Sequence, residues 1–172
     1  MRKQKGFSLI ELLIVVAIIL IIAAIAIPNL LRSKMSANDS AAASSIRTIN
    51  TSEVTYQTNY PTQGYANTLV KLGPSAACDN AGACLIDSVL TAGTKSGYTY
   101  FMTSGSAAAP FGDYTVSAGP VTWQSTGTAN YCANADAVIR STKGLAAQPT
   151  ASITAAVNAT TCNTVASYVP IQ

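Results

Sequence analysis

The sequence predicts an α+β fold: a long kinked N-terminal helix, hydrophobic in its first half and amphipathic in its second, packed on a small antiparallel β-sheet head. Three observations predict it. Leu12 to Ile27 is an unbroken run of sixteen apolar residues. Beyond it Met35, Ala42, Ile49 and Tyr56 recur every seven residues. Past Gly97, stretches rich in Tyr, Val and Thr are separated by clusters of Gly, Pro, Ser and Asn, which is strand-and-turn chemistry. A chain of 172 residues leaves room for one domain of ordinary core size after the apolar run.

The apolar run is the first element. From Phe7 to Ile27 only Ser8 and Glu11 interrupt it. A helix rising ~1.5 Å per residue crosses the ~30 Å hydrocarbon core of a bilayer in about 20 residues, so the run just suffices. Arg2, Lys3 and Lys5 precede it and Arg32 and Lys34 follow, and the short basic leader favours an N-terminus inside with everything after Pro28 exported. One reading is a Sec signal peptide with a small-residue cleavage site at Ala24-Ile25-Ala26. The length of the run, Glu11 in its first third and Pro28 just after the proposed cut all argue against that reading.

The stretch "KGFSLIELLIVVAIILIIAAIAIPNLL", residues 5 to 31, resembles the N-terminus of type IV prepilins. The matching features are a short basic leader ending in Gly6, Phe7 as first mature residue, Glu11 as the fifth and Pro28 as the twenty-second. The likeness is confined to about the first 35 residues. It implies cleavage between Gly6 and Phe7 by a prepilin peptidase/methyltransferase and N-methylation of Phe7. It also implies polymerisation with identical subunits from an inner-membrane assembly platform. The chain is then expected in the bacterial inner membrane before assembly, as a single pass with its N-terminus inside, and in a surface pilus afterwards. In this family Glu11 of one subunit pairs with the Phe7 amine of its neighbour. A carboxylate at mid-membrane costs about 2.5–3.5 kcal/mol, less near an interface, so a partner is needed. An α-amine with a pKa of about 8 is mostly cationic at neutral pH and supplies one. The helix macrodipole, which favours an acid in the first turn by up to about 1 kcal/mol, is a second and compatible account.

A helix apolar on every face must be buried in lipid or in a packed bundle, which a filament core provides. Pro28 removes a backbone donor and clashes with the carbonyl of Ala24, so a kink or local break is expected there. The helix is read as continuing to Tyr60, about 80 Å if unbroken. Its apolar stripe of Met35, Ala42, Ile49 and Tyr56, flanked by Leu31, Ile46 and Tyr60, faces the sheet. Ser36, Asn38, Asp39, Ser40, Ser44, Arg47 and Asn50 are assigned to the intervening polar surface. Asn59-Tyr60-Pro61 ends the helix, because a residue before proline leaves the α region.

Residues 61–97 form a connecting region with short helical pieces around Tyr65–Leu72 and Cys84–Thr91, each ended by a glycine. Strands follow at 97–104, 113–119 and 130–141, the last turning at Asn134-Ala135-Asp136 into a hairpin. "GSAAAPFG" and "STGTA" read as exposed loops. The chain thus divides into a leader (1–6), a membrane or filament-core helix half (7–28), an amphipathic half (29–60), the connecting region (61–97) and the sheet with its C-terminal loop (98–172). Segments "KSGYTY", "YTVSAGPV" and "YCANADAVIR" resemble, more loosely, the head domains of bacterial pilin-like proteins, so a type IV pilin fold is implied.

Cys78, Cys84, Cys132 and Cys162 all follow the apolar run. Their spacings do not suit zinc, and no metal is expected. An even count outside the cytosol reads as two disulfides with three possible connectivities. The pairing preferred is Cys78–Cys84 with Cys132–Cys162, the second of which pins a tail poor in large apolar residues. A disulfide-bounded C-terminal loop is also what many pilins carry.

Catalysis finds little support. Only 10% of residues are charged and histidine is absent, which removes the commonest general base. The seven carboxylates are dispersed, and no G-x-S-x-G, Walker or G-x-G-x-x-G pattern occurs. No catalytic residue or cofactor is expected. The net charge of +3 lies in the leader, leaving seven basic and seven acidic residues from Phe7 onward. The basic residues are scattered, so no specific nucleic-acid partner is readable. Trp123 reads as a packed sheet edge, with sugar stacking as the alternative. Electron transport through aromatics is disfavoured, because none falls between Phe7 and Tyr56. A type II secretion pseudopilin is the alternative to a pilus subunit, but its late acidic calcium residues have no counterpart, since no Asp or Glu follows Asp136. A Sec-secreted binding domain comes third.

Overall fold

The computed structural model describes residues 7–143, 152–164 and 166–171. Helix α1 (Leu9–Asn59) is followed by two short helices, α2 (Leu69–Leu72) and α3 (Ser88–Thr91). Strands β1 (Thr94–Lys95), β2 (Tyr98–Thr103), β3 (Thr115–Pro120), β4 (Tyr131–Asn134) and β5 (Arg140–Ser141) come next, then α4 (Ala159–Asn163) and β6 (Val169–Pro170). The fold is α+β, as the sequence predicts. The described chain separates into two units, one through Lys34 and one from Met35 onward.

In the first unit the helical assignment passes through Pro28 without interruption. The local break expected there does not occur. Loss of one N–H donor at Pro28 leaves the flanking hydrogen bonds able to hold the turn together.

In the second unit six strands form one antiparallel meander in sequence order. Nearest-neighbour antiparallel pairing allows short connections between successive strands, as from β1 to β5, whereas β5 and β6 are separated by residues 142–168, which include α4. The long pair is β2 with β3, in register from Tyr98 opposite Pro120 to Thr103 opposite Thr115. Strands β4 and β5 form the hairpin expected from Asn134-Ala135-Asp136, with Tyr131 opposite Ser141. Two-residue strands β1 and β6 escape sequence reading, because two residues show no alternation.

The core lies between the second half of α1 and the sheet. Ala42, Ile46, Ile49 and Tyr56 from the helix join Tyr98, Tyr100, Tyr114, Val116 and Tyr131 in one buried cluster. The expected apolar stripe is thus buried from Ala42 to Tyr56, whereas Leu31 is 53% exposed. Two residues assigned to the polar surface, Asp39 and Asn50, are instead buried. Asn50 accepts from the Tyr114 hydroxyl at 3.1 Å and donates to the Ala137 carbonyl at 3.3 Å, so its burial is matched by partners.

Both connecting helices are shorter than expected and end where expected. Tyr65 donates its backbone N–H to the Phe111 carbonyl at 2.9 Å, and the Phe111 N–H goes to Gln63 at 2.8 Å, which ties 63–65 to Phe111 in a turn, not in a helix. Gly64 makes this approach possible. It sits at φ +75°, and a Cβ there would lie 2.2 Å from the Phe111 carbonyl oxygen. Likewise Cys84 and Leu85 bond back to Gly73 and Leu72, so α3 starts only after Asp87, whose carboxylate caps it by accepting from Leu90 N–H at 3.0 Å. Neither of the two expected loops is exposed throughout: in "GSAAAPFG" Phe111 is buried, and "STGTA" is covered in part. Ala129 is fully buried, and a Cβ on Gly127 would sit 2.3 Å from the Tyr98 hydroxyl. Trp123 is half-buried just beyond β3, with its backbone bridged to Gly127.

Candidate assembly and processing site

The site begins at the first described residue. Phe7 is 81% exposed. Ser8 precedes the helix, and its backbone N–H donates to Glu11 Oε2 at 3.1 Å. Ser8 followed three residues on by an acid is one half of a capping box, in which the acid satisfies a backbone donor that the helix start leaves free. Glu11 therefore serves its own helix while staying exposed at the N-terminal, electropositive end of the macrodipole. This is the only hydrogen bond to its carboxylate among the described residues. Gly6, and with it the bond expected to be cut, lies outside the described residues, as does the basic leader. The Phe7 α-amine exists only once that bond is broken.

From Leu9 to Leu31 the large apolar side chains are exposed around the whole helix, none of them less than 45%. The segment is long and apolar enough to cross a membrane, and none of its most apolar window is buried. Burying one Leu or Ile side chain is worth about 1.5–3 kcal/mol, so this surface requires a lipid or protein cover.

The cysteines sit far from this segment in sequence. Cys78 and Cys84 are bonded, with Cα atoms 5.3 Å apart, as are Cys132 and Cys162 at 5.9 Å. The second bridge is fully buried with Tyr168, whose burial pushes its phenol up to about 12. It links β4 to α4, whose start is capped by the Asn158 side chain accepting from Thr161 N–H at 2.8 Å. Residues 144–151 of the intervening loop lie outside the described residues. Among those described, no group of Asp, Glu, His and Cys could hold a metal ion.

Two buried carboxylates were missed by reading the helix as a plain polar and apolar division. Asp39, 2% exposed, accepts from the Tyr98 hydroxyl, from Thr128 N–H at 3.2 Å and hydroxyl at 3.1 Å, and pairs with Lys143 Nζ at 2.6 Å. Burial, then the bond to Asp39, raises the Tyr98 phenol far above its ordinary range. Glu53 is the other. A signal was available: Asp39 and Glu53 fall on the apolar stripe at its own alternating spacing of three and four, between Met35 and Ala42 and between Ile49 and Tyr56.

Comparison with known proteins bears on the first unit. The model of the prokaryotic N-terminal methylation motif matches residues 1–27. The N-terminal segment is prepilin-like. The type IV wide pilus major component PilA4 of Thermus thermophilus is 67% identical over 39 residues. That match covers 23% of this chain and 30% of the relative's length. No solved structure matches. The prepilin-like segment is thus the apolar helix half. The head has an architecture that fits a type IV pilin fold, a long helix against an antiparallel sheet.

Proposed function

We propose that this chain is a structural subunit of a type IV pilus, cut between Gly6 and Phe7, N-methylated at Phe7 and polymerised through its N-terminal helix. The observation that carries the reading is the exposed apolar helix of 9–31 within and beyond a methylation motif. A lone membrane anchor would account for the exposure, but not for the motif or for an acid at the fifth residue after the cleavage point.

Cleavage releases the Phe7 amine, which stays cationic after one methylation. In the bilayer the subunit is a single pass with its head exported. On assembly, Glu11 meets the Phe7 amine of a neighbour, exchanging a backbone cap for a charge pair in a low-dielectric bundle, where an unpaired acid is most costly. The partners are identical subunits, the prepilin peptidase/methyltransferase and an inner-membrane assembly platform. The role is structural, serving adhesion, motility or DNA uptake, and Pro28 gives the helix a place to yield during packing.

Intact and peptide mass spectrometry of surface-sheared protein tests this. A chain beginning at Phe7 and heavier by one methyl is expected, with filaments visible by negative stain. A start at Ile27 or an uncut Met1 would falsify the reading. Correct processing without surface filaments would move the chain to the pseudopilins of a secretion apparatus.

A further inference from the structure

Glu53 is fully buried in the second half of α1, well outside the apolar span of 7–27. One carboxyl oxygen, Oε2, accepts the backbone N–H of Ala66 at 2.8 Å. The other, Oε1, is buried with no hydrogen-bond partner among the described residues. No donor among the described residues reaches it. Tyr56, on the same helix, gives its hydroxyl to the Asn80 carbonyl at 2.6 Å. Tyr114, ahead of β3, gives its own to Asn50 at 3.1 Å. Among the described residues the cation acting on the carboxyl is Lys71 on α2, whose Nζ lies 5.1 Å from the Phe111 ring centroid. Tyr60 and Asp79 act on Tyr56, and Tyr65 acts on Tyr114, and none of them brings positive charge. An ionised carboxylate with one oxygen unpaired in such a place is strongly disfavoured relative to the neutral acid, and the single Ala66 bond offsets that cost only in part.

The bond joins two separate pieces of backbone. Ala66 is fully buried and belongs to the segment after α1, which is held on its other side by the paired bonds of Gln63 and Tyr65 to Phe111. Glu53 is the described side chain that ties this segment to the helix through a hydrogen bond to its backbone. We propose that Glu53 is a proton-operated latch: in its neutral form it fastens residues 61–67 to α1, and ionisation releases them.

Burial pushes the Glu53 carboxyl up to about 8, against partial opposition from the Ala66 bond and Lys71. A raised value means that the latch holds fully below the ordinary carboxylate value of 4.5 and weakens as pH rises towards 8. Across that window opening releases a proton, so the opening equilibrium grows about tenfold per pH unit and levels off above it.

The test uses the full chain in detergent micelles, wild type and Glu53→Gln, followed by NMR. The Glu53 carboxyl carbon shift is titrated, and the Ala66 amide protection factor, already corrected for intrinsic exchange, is measured over the same range. A carboxyl midpoint near 8 is expected, with Ala66 protection falling about tenfold per pH unit below it in wild type and staying flat in Glu53→Gln. A midpoint near 4.5, or an equal loss of protection in Glu53→Gln, overturns the latch. Should Glu53→Gln not fold, the wild type decides alone: a midpoint near 8 with Ala66 protection falling below it sustains the proposal, and a midpoint near 4.5 or flat protection ends it.

Discussion

The two halves of α1 handle the same residue types in opposite ways. Before Lys34, Leu and Ile point outward on every side and the lone acid, Glu11, is exposed beside a free helix start. After Met35, Ile46 and Ile49 are fully buried, and so are two acids, Asp39 and Glu53. A carboxylate is tolerated at Glu11 because the helix start offers a backbone donor and a positive dipole end. It is tolerated at Asp39 because four donors converge on it. At Glu53 one donor is present, and neutralisation does the rest. The difference shows that side-chain type sets the cost of a position, while neighbouring donors decide whether it is met. It also separates the tasks of the halves: the first is left to be covered by something else, the second already has its cover.

The sharpest break in this comparison is at Glu11. Glu11→Ala is expected to leave cleavage and methylation intact by mass spectrometry and to abolish filaments in negative stain, while the head keeps its thermal stability. A head that loses stability in that variant would show that the halves are not independent. Within the head, the Cys132→Ser/Cys162→Ser double variant should show the largest loss. It opens a loop of 30 residues and is expected to cost about 3–4 kcal/mol in denaturant titration of the full chain in detergent. Asp39→Ala strips the partners from Tyr98, Thr128 and Lys143 and should cost about 3 kcal/mol, with Asp39→Asn recovering part of it. Gly64→Ala meets the Phe111 carbonyl at a positive φ and should cost about 2 kcal/mol in the same assay.

The smallest effect is expected at Lys95. Its hydrogen bond to Asp87 at 2.7 Å, followed by the helix-cap bond from Leu90, holds that carboxyl below its ordinary value. The contribution is present at neutral pH and is lost as pH falls through that lowered value. Both side chains are substantially exposed, so Lys95→Ala should change stability by less than about 0.5 kcal/mol, and the change should shrink further in high salt. Together these variants rank the head's contacts by burial, and an exposed pair that mattered more than Asp39 would overturn that ranking.

By itself the sequence determined the apolar span, the helix end before Pro61, the buried stripe from Ala42 to Tyr56 and the strands around Tyr98, Thr115 and Tyr131. These are read from periodicity, from proline and glycine geometry and from strand-rich runs, all of which act within a few residues of chain. The helix N-terminal motif was legible for the same reason, since leader, acid and apolar run are contiguous. Only the tertiary structure decided the partners of the buried Asp39, Asn50 and Glu53, the clamp of Gly64 on Phe111, the short edge strands β1 and β6 and the burial around Gly127. Each depends on a donor, a carbonyl or a ring that is distant in sequence. Polarity alone assigns such residues to the surface, and the free energy of their burial is settled by partners that the fold brings to them.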